Sequence, residues 1–300
     1  MGPIFPYDVR MPSSLQPKWC IILNPAAKGD QARRTLKRVA HLAPEAKVYL
    51  TEKPGHGEKL AREASEKGYT TVVAAGGDGT VNEVVNGLDA TKSTLGVIPV
   101  GTMNVLALEL GIPPQLEKAL AVIRSGKRKK LDLGWANQKK FIQLAGVGLD
   151  AETVRRTPPD AKRAWGPWSY LLTAAQLMVA PAPVLRVKIP GKKELKGAMV
   201  LIGNGRHYGG PFQFFPKADM ADGLLDVCIF PKSGPLDLLW YLQAVLLGGP
   251  QSLPDVSYLQ VPELKVEADK PVALEVDGEY SGETPVTFRV ERKALEVIVP

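Results

Sequence analysis

An α/β domain with a parallel sheet, followed by a mainly antiparallel β-sandwich, is the fold class that the sequence predicts. In the first 126 residues, short apolar runs alternate with glycine-rich or polar turns and with helical stretches, which is typical of a parallel sheet with crossover helices. Beyond a basic run at Lys127–Lys130, short segments alternate apolar with polar positions between turn residues, as half-exposed antiparallel strands do.

Four apolar segments are predicted as the strands of the parallel sheet, because their continuous hydrophobicity suits strands that are covered on both faces. They are Trp19–Leu23, Ala46–Leu50, Thr71–Ala75 and Leu95–Val100. Apolar residues at helical spacing predict three helices among them. Their apolar faces carry Leu60, Ala61 and Ala64; Val81, Val84, Val85 and Leu88; and Leu116, Ala119, Leu120 and Ile123.

The second half of the chain is predicted to contain six short strands and one helix. The strands are Phe141–Leu144, Val184–Ile189, Ala198–Ile202, Leu224–Phe230, Val272–Val276 and Val286–Val290, and the helix is Leu236–Leu247. A last strand, Ala294–Val299, can return to either domain. The predicted organisation is therefore an extended N-terminal segment at 1–17, an α/β domain at 18–126 and a β-rich domain at 127–300.

Composition and charge narrow the class of protein. With 45% hydrophobic residues among 300, the chain can bury a sizeable core. Its net charge of +7 indicates an anionic partner: nucleotide phosphates, nucleic acid or an acidic membrane. No recognisable nucleic-acid-binding module accompanies this charge, so nucleic acid is not an expected partner. Cys20 and Cys228 have neither disulfide nor zinc spacing, which indicates a reducing, cytoplasmic setting.

The segment Trp165–Pro183 is the one candidate for membrane insertion. It is apolar, but Pro167 and Pro181 interrupt it, and it is short for a span of about 20 apolar residues. We therefore predict an amphipathic helix. Its aromatic residues, like Trp240 in the predicted helix Leu236–Leu247, suit a membrane interface, whereas core packing is the alternative for both segments.

Polar or glycine-rich turns follow all four strands of the parallel sheet. They begin at Asn24, Thr51, Gly76 and Gly101. Ligands of open α/β sheets bind at the carboxyl ends of the strands, so we expect these turns to converge on one crevice.

The turn Gly76-Gly77-Asp78-Gly79 predicts a phosphate site, because glycines allow close backbone approach and the following helix start offers free N–H groups. Asp78 repels a phosphate and is expected to act through Mg²⁺ or a hydroxyl. Thr80 and Glu83 also fit a capping box, which is the purely structural alternative for them.

The motifs of the two halves occur in a recognisable order. Asn24-Pro25 with Gly29, then Thr51, precede GGDGTVNEVVNGL at 76–88 and PVGTMNVLALELGIP at 99–113; PKADMADGLLDV at 216–227 and VDGEYSG at 276–282 follow. This series resembles the diacylglycerol kinase catalytic domain family, which includes bacterial lipid kinases and sphingosine and ceramide kinases. The motif GGDG alone is shared with NAD kinases and phosphofructokinases, but the continuation Asn82-Glu83 and the later GTMN favour lipid kinases.

The resemblance implies transfer of the γ-phosphoryl group of ATP to a lipid hydroxyl, with diacylglycerol as the expected acceptor. It further implies a phosphofructokinase/NAD-kinase-like domain that binds nucleotide at 18–126 and a lipid-substrate domain at 127–300. The residues that it places against ATP are Asn24, Pro25, Ala26, Ala27, Lys28, Thr51, Gly76, Gly77, Asp78, Gly79, Thr80, Val81, Asn82, Glu83, Gly101, Thr102 and Asn104.

A structural Mg²⁺ is also implied by the resemblance, with Asp219, Asp222 and Leu224 as its ligands. Many relatives have two adjacent acids before the glycine, whereas this chain has Ala221 before Asp222. A solvated acidic turn is the alternative for this loop.

Asp277-Gly278-Glu279 is similar to the D-G-E motif of the family, whose glutamate is the proton acceptor. The predicted catalytic residues are therefore Glu279, Asp78 and Asp277. Taken without the resemblance, Asp-Gly between two apolar runs is typical of a hairpin turn.

Two further functions stay open at this point: an NAD kinase, and a nucleotide- or lipid-binding regulator without catalysis, which only Ala221 supports. The resemblance implies a protein that associates peripherally with an anionic membrane surface and forms a homodimer.

Overall fold

The computed structural model describes residues 19–25, 30–157, 182–208, 210–246 and 249–300. Its first half contains four parallel strands in the spatial order β2-β1-β3-β4. The elements are β1 (Trp19–Leu23), α1 (Asp30–Leu42), β2 (Lys47–Leu50), α2 (His56–Glu66), β3 (Thr71–Gly76), α3 (Asp78–Gly87), β4 (Thr94–Pro99), α4 (Val105–Glu109) and α5 (Leu116–Ser125).

Helices α2, α3 and α5 pack on this sheet, and the apolar faces predicted from the sequence form its core. Two glycines set helix ends: Gly55, with φ 80°, precedes α2, and Gly126, with φ 70°, follows α5. Helices α2 and α3 approach so closely that a Cβ atom at Gly87 would lie 2.0 Å from the carbonyl oxygen of Glu58. The helix that carries the glycine-rich turn is thereby fixed against its neighbour.

In its described ranges, the second half is built mostly from short strands, with two α-helices among them. The elements are β5 (Arg128–Ala136), β6 (Lys139–Phe141), β7 (Leu144–Val147), α6 (Leu149–Arg156), β8 (Leu185–Lys188), β9 (Leu195–Gly197), β10 (Met199–Gly203), β11 (His207–Tyr208), β12 (Phe212–Gln213), β13 (Leu225–Phe230), α7 (Pro235–Leu246), β14 (Ser257–Val261), β15 (Glu263–Ala268), β16 (Ala273–Val276), β17 (Glu279–Glu283) and β18 (Val286–Ile298).

An antiparallel sheet in the order β14-β13-β10-β7-β16-β17 packs against β8, β15 and β18. Alternate residues of both sheets fill the space between them, including Val200, Leu274, Val187, Val266 and Phe288. This arrangement confirms the predicted α/β domain followed by a β-sandwich.

The last strand connects the two halves. β18 pairs with β15 and β5 antiparallel and, near its end, with β4 in parallel, where Val297 lies opposite Leu95. A register shift between Glu291 and Leu295 bends it as it crosses from one half to the other. The predicted strand Ala294–Val299, which the sequence leaves open to either domain, is the end of this one long strand, and there it pairs with β4 of the first half.

Most predicted elements occur within a residue or two of their expected bounds, including the helix expected at Leu236–Leu247. The predicted strand Phe141–Leu144 is wrong, because the chain leaves the strand conformation between β6 and β7. The predicted amphipathic helix Trp165–Pro183 lies almost entirely outside the described residues. Within the described part of the chain, no helix has both the length and the apolarity needed to cross a membrane.

Candidate active site

The turns after β3 and β4 pack against each other through their backbones. A Cβ atom at Gly101 would lie 2.4 Å from the Cα atom of Gly77, and the N–H groups of Val100 and Gly101 both donate to the carbonyl of Gly76. Glycine is therefore required at this crossing, independently of any ligand. The predicted convergence of these two turns is confirmed.

Asp78 ties the same two turns together. Its carboxylate accepts the N–H of Val105, at 2.6 Å, at the first residue of α4. Asn104 precedes that helix with φ 50°, and its side chain donates to the carbonyl of Gly101. Burial raises the pKa of Asp78, and its hydrogen bonds to backbone N–H groups oppose that rise. Asp78 thus makes a structural contact with α4 that could not be predicted from the sequence. Its action through Mg²⁺ stays a prediction.

The residues after β1 and β2 reach the same edge of the sheet. The Asn24 side chain donates to the hydroxyl of Thr80, at 3.3 Å, and the N–H of the buried Thr51 donates to the carbonyl of Leu23. Pro25 follows Asn24, whereas Ala26, Ala27 and Lys28 lie outside the described residues. Val81, predicted to line the nucleotide, packs in the core of the first half.

The capping box that was the structural alternative for Thr80 and Glu83 is not formed. Helix α3 begins after Gly77 without a side-chain cap. Glu83 instead accepts the N–H groups of Gly55 and Gly57, at 2.8 and 2.7 Å, and so caps the start of α2. It therefore holds the start of α2 against the middle of α3.

The hairpin between β16 and β17 brings the second half to the same site. Asp277 and Gly278 have φ values of 47° and 82°, as a two-residue type I′ turn requires, so the hairpin reading of the sequence is confirmed. The Asp277 carboxylate accepts the N–H groups of residues 142, 143 and 144, and the side-chain amide of Asn82 in α3 donates to it at 2.7 Å.

Burial raises the pKa of Asp277, and these four hydrogen bonds oppose the rise. They also explain why the strand predicted at Phe141–Leu144 is interrupted, since its N–H groups point at a carboxylate rather than at a neighbouring strand. Asp277 therefore anchors the hairpin to both halves of the molecule, and a catalytic role for it stays a prediction.

Glu279 lies directly after this turn and faces the glycine-rich loop. Its side chain is 47% exposed, and Oε1 lies 3.5 Å from the position that a Cβ atom would take at Gly79. Lys139 in β6 approaches the other oxygen of Glu279 at 3.6 Å and donates to the hydroxyl of Ser281 at 3.2 Å. Sequence reasoning missed Lys139, because it stands in a short basic run that looks like an ordinary solvated face.

The predicted metal ligands lie together in one turn. Asp219 and Asp222 accept the N–H groups of Ala221 and Leu224, at 3.1 and 2.9 Å. Burial raises the pKa of Asp222, and the negative charges of Asp219 and Asp132 add to the rise. Within the described ranges, no three acidic, His or Cys side chains converge as a metal site. Mg²⁺ usually keeps several water ligands and needs only one or two carboxylates, so the loop fits that ion.

The glycine-rich segment around His207 is held by the first half. Glu109, at the end of α4, accepts the N–H groups of Arg206 and His207, and its carboxylate contacts His207 Nδ1 at 2.6 Å. The neighbouring Gly210 packs against the sulfur of Met103 in the loop before α4. These contacts complete a site in which both halves contribute to one cleft.

Comparison with known proteins agrees with this arrangement. Residues 18–136 match the family described as "Diacylglycerol kinase catalytic domain", and residues 144–299 match the "YegS C-terminal NAD kinase beta sandwich-like domain". The chain belongs to the diacylglycerol kinase family. Members of this family are lipid kinases, and the protein is therefore a lipid kinase.

Individual members of the diacylglycerol kinase family resemble the chain over most of its length. A protein of Chromohalobacter salexigens named "Probable lipid kinase YegS-like" is 34% identical over 87% of this chain and 86% of its own. The diacylglycerol kinase of Staphylococcus aureus strain MRSA252 is 31% identical over 93% and 91%. A crystal structure of a diacylglycerol kinase from Bacillus anthracis superposes with a TM-score of 0.78 at 26% identity, covering 95% of this chain and 97% of that one.

Proposed function

We propose that this lipid kinase transfers the γ-phosphoryl group of ATP to the hydroxyl of a lipid, with diacylglycerol as the acceptor and Glu279 as the general base. The observation that supports this proposal most directly is the 3.5 Å approach of Glu279 Oε1 to the Cβ position of Gly79. A carboxylate from one half thus meets a glycine-rich, phosphate-type loop from the other. The relatives named lipid or diacylglycerol kinases favour a lipid over NAD as the acceptor.

The proposed reaction uses the contacts of the cleft in one step. The turn from Gly76 to Gly79 and the N–H groups at the start of α3 bind the phosphates of ATP. Glu279 takes the proton of the lipid hydroxyl while that oxygen bonds to the γ-phosphorus and the bond to the β-phosphate bridge oxygen breaks, which releases ADP. Lys139, 3.6 Å from Glu279, offsets negative charge beside the transferred group.

We further propose that Asp219 and Asp222, with the backbone at Leu224, hold a Mg²⁺ ion. Two acids in one turn, with Asp132 nearby, crowd negative charge that a divalent cation neutralises. When bound, the ion would stabilise this loop of the lipid domain. D222N is expected to weaken Mg²⁺-dependent stabilisation against heat, whereas E283Q, at a solvent-exposed acid of β17, is expected to leave it unchanged.

One face of α7 is proposed to rest on an anionic membrane surface. Leu236, Leu239 and Trp240 are 81%, 63% and 52% exposed, and they share a face because of their spacing, while Tyr241 is buried. The exposed Lys232 stands just before the helix. The buried Tyr241 supports core packing for one side of the helix, and the exposed side is the one proposed to meet the membrane.

Co-sedimentation with vesicles of phosphatidylglycerol tests this surface. L239E is expected to reduce vesicle binding, whereas V184E, at an exposed apolar residue outside α7, is expected to leave it unchanged. If both variants bind vesicles as well as the wild type does, α7 is not the membrane contact.

Radiolabelled ATP tests the proposed reaction. The 300-residue protein is incubated with ATP and Mg²⁺ in the presence of diacylglycerol micelles, other lipid alcohols or NAD, and label is followed into each acceptor. Label in diacylglycerol, with a loss of about 10²–10⁴-fold for E279Q, is the expected result. E283Q, in the same hairpin, is the matched control. Label only in NAD, or in no acceptor, would overturn the proposal.

A further inference from the structure

Two buried carboxyl groups lie next to the turn of the hairpin that carries Glu279, and one of them belongs to the hairpin itself. Asp150 belongs to the first turn of α6, and Glu275 is buried in β16. Their carboxyl groups meet beside a glycine that leaves them room: a Cβ atom at Gly146 would lie 2.5 Å from Asp150 Oδ2 and 3.1 Å from Glu275 Oε1. Both of these oxygens are closed to solvent and have no conventional donor among the described residues.

Two buried carboxyl groups that meet in this way can form a hydrogen bond to each other only when one of them carries a proton. Burial raises the pKa of both acids, and the charge of Asp150 raises the pKa of Glu275 further. Among the described residues, no positively charged group that faces the pair could stabilise both acids in their ionised form. Tyr208 in β11 donates to Asp150, and the nearby Asp277 adds negative charge. In the described part of the chain, the other groups that act on the two acids are Tyr208, the N–H of Gly278 and Asp277, none of which is a cation.

The second oxygen of Glu275 points at the turn itself. Glu275 Oε2 accepts the N–H of Gly278 at 2.7 Å, and Gly278, with φ 82°, stands between Asp277 and Glu279. With a proton between the two acids, a hydrogen-bonded chain would run from Tyr208 in the glycine-rich segment through Asp150 and Glu275 to the turn. Ionisation of both acids would drive Glu275 away from Asp150 and disturb the bond that it makes to the turn.

We propose that Asp150 and Glu275 share one proton, and that this protonated pair positions the hairpin that presents Glu279 to the phosphate loop. The inference deepens the proposed kinase function and rests on it for its kinetic consequence. Neither acid is a catalytic residue in this scheme, because neither reaches the reacting atoms. Both act through the backbone of Gly278.

Substitutions of Glu275 separate positioning from charge. E275Q keeps an oxygen for the Gly278 N–H and offers its own N–H to Asp150, so its kcat should stay within about threefold of the wild type. E275L removes the acceptor, and a displacement of the base by about 1 Å is expected to lower kcat about 10²-fold with little change in the KM for ATP. D226N is the matched control, since Asp226 is a buried, tyrosine-bonded acid of the same sheet, away from the hairpin.

E275L with full activity, or E275Q as impaired as E275L, would overturn the positioning role. Circular dichroism identifies a variant that fails to fold. D150N, which also keeps the hydrogen bonds and removes one titrating group, must then reproduce the behaviour expected for E275Q.

Unfolding as a function of pH tests the shared proton without any substrate. The unfolded chain releases its Asp and Glu protons near pH 4, while the folded pair retains one. The stability of the wild type relative to E275Q should therefore fall as the pH rises above about 4.5, until the pair ionises. In this range the unfolding equilibrium constant of the wild type should rise by up to about tenfold per pH unit relative to that of E275Q. Parallel profiles would overturn the shared proton. If the profiles diverge but the wild type transfers no phosphoryl group, the proposed reaction is refuted while the shared proton is supported.

Discussion

Replacing Asp277 by asparagine should destabilise the whole molecule, because this one carboxylate joins the hairpin to both halves. Oδ1 accepts the N–H groups of Gln143 and Leu144, while Oδ2 accepts those of Ile142 and of the Asn82 side chain. In D277N one oxygen becomes an NH₂ group. Two of the four N–H donors then face the new NH₂ group, which cannot accept from them, so only two of the four hydrogen bonds remain.

The expected cost follows from these contacts. A hydrogen bond to a charged group contributes about 1.5–3 kcal/mol, so the loss of two predicts a decrease of about 3–6 kcal/mol in the free energy of unfolding. A flip of the Asn82 amide recovers one bond only by breaking the one that Asn86 donates to Asn82 Oδ1, at 3.2 Å. Breaking a buried charge pair by removing one partner typically costs about 3–5 kcal/mol, which is a destabilisation of the same size.

Guanidinium unfolding followed by tryptophan fluorescence measures this cost directly. The midpoint for D277N should move far below that of the wild type, whereas D269N, at an exposed acid, should leave it unchanged. A D277N midpoint close to the wild-type value, at an unchanged slope, would refute the view that Asp277 anchors the hairpin.

Three further predictions concern the first half and the thiols. E83A removes the acceptor for two N–H groups at the start of α2 and should lower stability by about 1–2 kcal/mol in urea unfolding, with E83Q closer to the wild type. G87A places a Cβ atom 2.0 Å from the Glu58 carbonyl and should yield protein that is insoluble or melts far lower, unlike K59A at an exposed residue of α2. Burial raises the pKa of Cys20 to about 12 and also raises that of Cys228, so neither should react with Ellman's reagent until denaturant is added; rapid labelling of the native protein would contradict this.

Most of the first sheet was predictable because β1, β3 and β4 are buried on both faces, and a run such as Thr71–Ala75 carries that information locally. The hairpin at Asp277-Gly278 was equally local, since the turn chemistry stands in two adjacent residues. The interruption after Phe141 was not predictable, because it depends on a carboxylate more than a hundred residues later in the chain.

The candidate site shows the same division. Motif spacing placed Gly79 and Glu279 in one cleft through a family resemblance. The contact of Lys139 with Glu279 and the pairing of Asp150 with Glu275 required the fold, since no local pattern shows which strands become neighbours. Sequence reasoning therefore named the residues of the motifs and missed the side chains that support them.

The long last strand has a consequence for how the protein denatures. Because β18 is paired with β4 at one end and with β15 along its other end, melting either half strips hydrogen-bond partners from the other. Calorimetry should therefore record one endotherm for the entire chain rather than two, with a van't Hoff enthalpy close to the calorimetric value. A single strand shared in this way makes the two halves one thermodynamic unit.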